Sequence, residues 1–172
     1  MAVFEHGTNE MKKGKPDVRA EDPFMQLAID EALGGIAKGH GGPFGTVIVK
    51  DGAPVGRGHN RVLSDVDSTA HGEIVAIREA ERKLGTHDLS GCVLYTTAEP
   101  CPMCLFACLW ANVDRVCFGC TVPDTGRLGF RDERFSELVD ERKLPDGYLV
   151  CVDRPACLEL FEIYRNRPHD VY

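Results

Sequence analysis

The sequence predicts a three-layer α/β/α sandwich, with helices covering both faces of a mixed five-stranded sheet. Three observations carry that reading. Short strand-like runs alternate with helical runs, two strand runs are joined by an Asp-Gly turn, and the helical segment 102–113 is apolar on nearly every side. Such a pattern suits strands buried between helical layers.

The elements follow in chain order. Residues 1–20 are polar and rich in Gly and Lys and read as a flexible arm, leaving 21–172 as one domain. Over 22–39, "DPFMQLAIDEALGGIAKG" opens with Asp22 as N-cap and Pro23 at the first helical position. Phe24, Leu27, Ala28, Leu33 and Ile36 would form the apolar face of this helix, and nothing in the sequence explains Gly34-Gly35 in its middle. "GTVIVKDGAPVGRG" (45–58) reads as two strands around Asp51-Gly52, the dipeptide of a tight hairpin turn. "AHGEIVAIREAERKLG" (70–85) gives a helix with Ile74, Ile77, Ala80 and Leu84 inward and Gly85 as its stop. "CVLYTT" (92–97), "RVCFGC" (115–120) and "YLVCVD" (148–153) supply three further strands. "PMCLFACLWANV" (102–113) is expected to be buried, and the tail "PACLELFEIYRNR" (155–167) forms a last amphipathic helix.

Composition excludes several classes of function. Apolar residues make up 43% of the 172 and charged residues 27%, which fits a single globular domain. No run approaches the ~18 apolar residues that cross a bilayer, and no apolar core marks a secretory leader at the N-terminus. A cytoplasmic setting is therefore expected, where paired cysteines serve metals more often than disulfides. The net charge is −7 and the pI about 5.3, with Lys and Arg scattered among acids, so neither a membrane surface nor a nucleic acid is an expected partner.

The chemistry gathers around "AEPCPMC" (98–104). Cys101-Pro-Met-Cys104 at a helix start lets two thiolates converge on one ion, and the helix dipole favours thiolates there. Zinc takes tetrahedral Cys and His ligands, three in a catalytic site. The third donor expected is His71 in "TAHGE" (69–73), also at a helix start, and Glu73 lies two residues beyond it, placed to move protons without ligating metal. A closed structural site would need a fourth Cys or His; Cys117 and Cys120 straddle a strand end and point to opposite faces. Cys92, Cys108, Cys117, Cys151 and Cys157 lie in apolar runs and read as ordinary buried thiols, and Cys120 has no assigned place.

H-x-E followed by P-C-x-x-C, here His71-Gly72-Glu73 and Pro100 to Cys104, resembles the signature of zinc deaminases that act on nucleobases. More closely, "GGPFGTVIVKDG" (41–52), "GHN" (58–60), "STAHGE" (68–73), "LYTTAEPCPMCLFACLWA" (94–111), "GFRD" (129–132) and the closing Arg165, Asn166 and Tyr172 resemble the small zinc guanine deaminases of the cytidine deaminase superfamily. That resemblance implies a cytidine deaminase-like fold, one Zn²⁺ per subunit held by His71, Cys101 and Cys104, and Glu73 as proton shuttle. It implies a pocket in which Asn60 hydrogen-bonds the purine, Phe44 packs on the ring, Asp132 accepts guanine N–H groups and Trp110 forms a wall. Gly72 would offer its backbone N–H, and Tyr172, on a C-terminal lid that crosses to the partner in a homodimer, would close the site.

Each pocket residue has a plainer reading beside this one: Asn60 as a turn residue, Phe44 and Trp110 as core, Asp132 as a helix cap, Tyr172 as a loose terminus. Gly72 departs from the alanine usual in that family, which would widen the pocket or loosen the loop and shift preference toward guanosine, cytosine or an aminotriazine such as ammeline. A tRNA adenosine deaminase shares the zinc motifs, and a non-catalytic zinc module is the reading from outside enzymology. The acidic charge speaks against the first and Glu73 against the second.

Overall fold

In the computed structural model of the chain, the residues described are 18–131 with Arg134, Phe135, Leu138, Arg154 and Leu158. The chain divides into two compact units, Met1–Phe135 and Ser136–Tyr172, and every element with described bounds lies in the first. The expected strand at 148–153, the helix at 155–167 apart from Leu158, and most of the N-terminal arm fall outside the described residues.

Helix α1, Pro23–Ala37, starts as its sequence asks. The Asp22 carboxylate accepts hydrogen bonds from the N–H groups of Phe24 (2.8 Å) and Met25 (3.0 Å), with Pro23 beginning the helix. Its deepest residues are Ala28, Ala32 and Gly35, whereas Ile36 is exposed. Small residues win the inner face because α1 lies close on the sheet: a Cβ at Gly45 would overlap the Ala28 carbonyl oxygen.

Strands β1 (Gly45–Lys50) and β2 (Ala53–His59) form the expected antiparallel hairpin, with Asp51 and Gly52 both at positive φ, 49° and 75°. The register slips by one residue between Ile48 and Val49, opposite Pro54. Strand β3 (Cys92–Ala98) runs antiparallel to β1, and β4 (Arg115–Cys120) runs parallel to β3. The sheet order is β2-β1-β3-β4, a mixed sheet of four strands among the described residues.

Both faces are covered. Ile48, Cys92 and Leu94 meet Ala76, Ile77 and Ala80 from one helix and Cys108 from another, while Val47, Val49 and Tyr95 meet Ala28, Phe24 and Leu27 of α1. Burial on two sides explains why β1 is buried at five consecutive positions, without polar alternation. The three-layer sandwich is therefore the fold.

After a short helix α2 (Val62–Asp65) comes α3, Gly72–Leu84, closed by Gly85 at φ 70°. Its buried stripe is Glu73, Ala76, Ile77 and Ala80, a helical i, i+3, i+4, i+7 row that begins with a carboxylate. The helix is pinned to the outer strand β2. A Cβ at Gly58 would overlap the Gly72 carbonyl, Glu79 accepts the Arg57 N–H at 3.1 Å, and the Lys83 ammonium donates to the Pro54 carbonyl at 2.9 Å.

Helix α4, Pro102–Trp110, connects β3 to β4. The expectation that it is buried all round is corrected. Cys104 and Cys108 are its buried residues, whereas Leu105, Phe106, Leu109 and Trp110 are exposed. Apolarity alone does not say which side of a helix meets the sheet, and here only one does. A further short helix α5, Val122–Gly126, was not expected, although its capping box of Thr121 and Asp124 can be read in "TVPD".

Candidate active site

The site forms where two helices begin. His71 is the N-cap residue of α3 and Cys101 that of α4, with Cys104 at the third position of α4. Strand β3 leads directly into the turn that holds Cys101, at the end of the sheet where α3 also starts. His71 Nδ1 lies 3.6 Å from Cys101 Sγ and 3.5 Å from Cys104 Sγ, and the three donor atoms all fall within 4.8 Å of one another. A tetrahedral zinc with bonds of about 2.1 Å to nitrogen and 2.3 Å to sulfur sets N and S about 3.6 Å apart. The trio therefore has the donor types and the spacing of a three-ligand zinc site. Among the described residues it is the one such cluster of His, Cys, Asp or Glu.

The electrostatics fit cation binding. The Cys101 pKa is held down to about 4 by the hydrogen bond from Cys104 and then by His71. Cys104 is pushed up by that same hydrogen bond, by burial and by Glu73. Cys108, one turn further in, is pushed up to about 12 by burial and takes no part.

Glu73 is 5% exposed, because the phase of α3 turns it inward with Ala76 and Ile77. Burial raises its carboxyl pKa, and the neighbouring Cys101 adds to the rise. A carboxyl with a raised pKa beside a metal site is suited to take and return a proton near neutral pH.

A cavity of about 490 Å³ opens over these groups, with His71, Glu73 and Cys101 on its floor and Phe44, Asn60 and Phe130 among its walls. Asn60 is 6% exposed; its Oδ1 accepts the Val62 N–H at 3.3 Å and its own backbone N–H donates to the Phe44 carbonyl at 2.8 Å. The Phe44 and Phe130 rings meet edge to face, 4.7 Å between centroids, giving the cavity an aromatic side suited to a flat heterocycle.

The structure thus brings six sequence-derived residues together: His71, Cys101 and Cys104 with Glu73, and Asn60 with Phe44. Gly72 is adjacent but lies outside the cavity wall. A methyl group there would sit 2.9 Å from Thr46 Oγ1 and 3.2 Å from the Phe44 carbonyl, facing the sheet, so its absence does not widen the pocket. Trp110 is 71% exposed and is not part of the wall. Asp132 and Tyr172 lie outside the described residues.

Sequence reasoning missed Phe130, Glu99, Leu63 and Arg131, all of which border the cavity. Phe130 and Arg131 stand inside the "GFRD" stretch and Glu99 inside "AEPCPMC", so their neighbourhood was visible though their roles were not. Glu99 accepts the Val122 N–H at 3.1 Å and ties the end of β3 to α5.

Comparison with known proteins agrees with this geometry. Residues 18–120 match the family described as the cytidine and deoxycytidylate deaminase zinc-binding region. The chain is 40% identical over 149 residues to the guanine deaminase of Bacillus subtilis, covering 84% of this chain and 94% of that protein. It is 34% identical over 147 residues to a tRNA-specific adenosine deaminase of Agrobacterium fabrum, covering 86% and 95%. The crystal structure of the Bacillus subtilis guanine deaminase superimposes with a TM-score of 0.79 at 39% identity, covering 90% of this chain and 99% of that one.

Proposed function

The chain belongs to the cytidine and deoxycytidylate deaminase zinc-binding family, and from that premise we propose a specific reaction, hydrolysis of the exocyclic amine of guanine to give xanthine and ammonia. The observation that carries the reading is the buried Glu73 carboxyl beside a His71–Cys101–Cys104 cluster, under a cavity walled by the Asn60 amide and two phenylalanine rings.

His71, Cys101 and Cys104 would hold a Zn²⁺, which when bound would supply a Lewis acid able to lower the pKa of water toward about 7. As the water oxygen bonds to the amine-bearing ring carbon, Glu73 takes one proton from that water and passes it to a ring nitrogen of the purine. Glu73 then takes the second proton from the new hydroxyl and delivers it to the amine as the carbon–nitrogen bond breaks, so one water is consumed and one ammonia released. The Phe44–Phe130 pair fixes the plane of the ring, and Asn60 fixes its rotation by hydrogen bonding. The Asp132 carboxylate completes the base-reading set in this proposal.

Guanine is favoured over tRNA by the near-full-length matches, 40% over 149 residues to the guanine deaminase against 34% over 147 to the Agrobacterium fabrum tRNA-specific adenosine deaminase, and by the charge of −7, which suits a small neutral base better than a polyanion. The reading includes a second copy of the chain. Leu105, Phe106, Leu109 and Trp110 expose 43–71% of their surface on α4, the helix that carries both thiols, and a copy seated there would cover them. Tyr172 would then reach the partner's site as a lid. Unpaired thiol ligands also suit a reducing, cytoplasmic setting, and no helix among the described residues is long and apolar enough to cross a membrane.

The test is ammonia release from the zinc-loaded protein with guanine, guanosine, adenine, cytosine, an aminotriazine and an anticodon stem-loop, with Glu73→Ala as control. Turnover of guanine alone, lost in the control, is expected. Turnover of the stem-loop in preference to guanine would overturn the substrate reading and leave the zinc site intact.

A further inference from the structure

Behind the cavity wall, outside the zinc cluster, two histidines meet. His40 Nδ1 and His59 Nε2 lie 2.9 Å apart with their rings 23° from parallel, and His59 Nδ1 lies 3.3 Å from Glu31 Oε2 on α1. Gly35 of α1 makes room for this arrangement: a Cβ there would come within 2.6 Å of His59 Cδ2.

The pair joins three segments that border the cavity. His40 precedes the glycine loop Gly41–Gly42, and its carbonyl accepts the N–H groups of Leu63 (3.0 Å) and Ser64 (3.2 Å). His59 is followed directly by Asn60. None of these links touches the metal donors.

We propose that His40 and His59 are positioning residues for the substrate, whose shared hydrogen bond holds the glycine loop, Asn60 and the Val62–Leu63 turn as one wall that loosens when both rings are protonated. The inference rests on the deaminase reading above only in that a heterocycle is what the wall receives.

Proton counting gives the mechanism. With both rings neutral, His59 donates from Nδ1 to Glu31 and accepts at Nε2 the Nδ1–H of His40. With one added proton, His59 donates from both nitrogens, to Glu31 and to a neutral His40. With two, N–H faces N–H across 2.9 Å with no acceptor between, and the contact must open. Charged groups flank both rings. Glu31, with Arg57 3.9 Å beyond it, faces His59, while Lys38, Arg61 and Asp65 surround His40. Burial and then His59 hold the His40 pKa below its ordinary value.

The experiment measures KM and kcat for guanine between pH 5 and 9 in zinc-loaded wild type, His40→Asn and His40→Leu, alongside NMR titration of the imidazoles and of the Asn60 side-chain amide. Wild type should show an acid rise in KM, about tenfold per pH unit once both rings charge, that kcat does not share. Asparagine puts an amide N–H where Nδ1–H stood and takes no proton, so His40→Asn should keep the wild-type KM at pH 8 and lose the acid rise. His40→Leu should raise KM about tenfold at every pH with kcat within about twofold. An acid rise that persists in His40→Asn, or a wild-type KM in His40→Leu, overturns the proposal. If guanine is not turned over, the NMR arm decides alone. An Asn60 amide that follows the His40 titration in wild type but not in His40→Asn upholds the coupling and sinks only the substrate reading. An Asn60 amide indifferent to that titration sinks the proposal itself.

Discussion

Replacing Gly72 by alanine separates two accounts of that residue. The added methyl would lie 2.9 Å from Thr46 Oγ1, 3.2 Å from the Phe44 carbonyl and 3.5 Å from His59 Cα. An ordinary carbon–oxygen contact is about 3.4 Å or more, and neither neighbour can yield freely. The Phe44 oxygen is backbone, and the Thr46 hydroxyl is wholly buried, donates to Thr96 Oγ1 at 3.2 Å and belongs to a β-branched side chain stiff at χ1. Overpacking of this kind costs about 1–3 kcal/mol, and the loss of unfolded-state freedom on going from Gly to Ala returns about 0.4–1 kcal/mol. Gly72→Ala should therefore destabilise the protein by about 1–2 kcal/mol, a fall in Tm of about 2–8 °C. Thr46→Ala alone should cost about 1–3 kcal/mol, because it leaves the buried Thr96 hydroxyl without that partner. In the double variant the methyl added at position 72 moves into the space the Thr46 side chain leaves, so the two changes should couple favourably by about 1–2 kcal/mol. Urea unfolding of the four zinc-loaded proteins closes the cycle. Additivity within about 0.3 kcal/mol would refute the steric account, and a KM that changes more than about fivefold in a fully stable Gly72→Ala would show that the methyl faces the substrate after all.

Glu73→Gln keeps the shape of the side chain and removes the titrating group. It should lower kcat by about 10²–10⁴-fold while zinc content by atomic absorption stays at one per chain. Stripping the metal with a chelator should abolish ammonia release and lower the Tm, and zinc affinity should fall as pH falls because His71 and both thiols must be deprotonated to bind; retained activity in verified metal-free protein would rule the mechanism out. If a second copy covers α4 as proposed, wild type should sediment as a dimer and Leu109→Glu, at a position 60% exposed in the single chain, should leave the fold intact and halve that mass; a monomeric wild type or an unchanged mass would sink the proposed contact. The Asp124 carboxyl is held below its ordinary pKa first by Thr121 and then by Arg127, so the help it gives the start of α5 is present above the unfolded value and lost as pH falls through the lower, folded one. Protection of the amides of residues 121, 122, 124 and 125 against exchange, relative to the intrinsic rate at each pH, should therefore fall below about pH 4 in wild type and show no such step in Asp124→Asn.

The parts of this protein legible in its sequence are those set by neighbours along the chain. Asp22 and Pro23 start a helix, Asp51-Gly52 turns a hairpin and Gly85 ends a helix through local geometry alone. The zinc donors were legible for the same reason. Each sits within a residue or two of a helix start, and a short strand between two such starts leaves little choice about where they meet. What could not be read depends on how elements lie across one another. Gly35 looks like a flaw in a helix until the His59 ring is seen against it, and Gly72 looks like a widened pocket until the direction of its missing Cβ is known. The apolar run in α4 carries no mark telling Cys104 and Cys108, which face the sheet, from Leu105 and Leu109, which do not. Phe130 joins Phe44 from far along the chain, a contact that no local periodicity encodes. Helices α2 and α5 span four and five residues, too few turns for a repeat to show.

The outer strand β2 carries a last consequence. An edge strand offers unpaired N–H and C=O groups to any extended segment that passes, in this copy or another, which is how sheets recruit strands and grow into aggregates. Here that invitation is withdrawn. Pro54 has no N–H to give, its carbonyl is taken by Lys83, and the Arg57 N–H is taken by Glu79, so the side chains of α3 stand where a fifth backbone would dock. The contacts that fasten α3, and with it His71 and Glu73, also occupy two backbone groups at the margin of the sheet. Loosening that helix would thus expose the protein to misassembly at the same moment that it disarms the site.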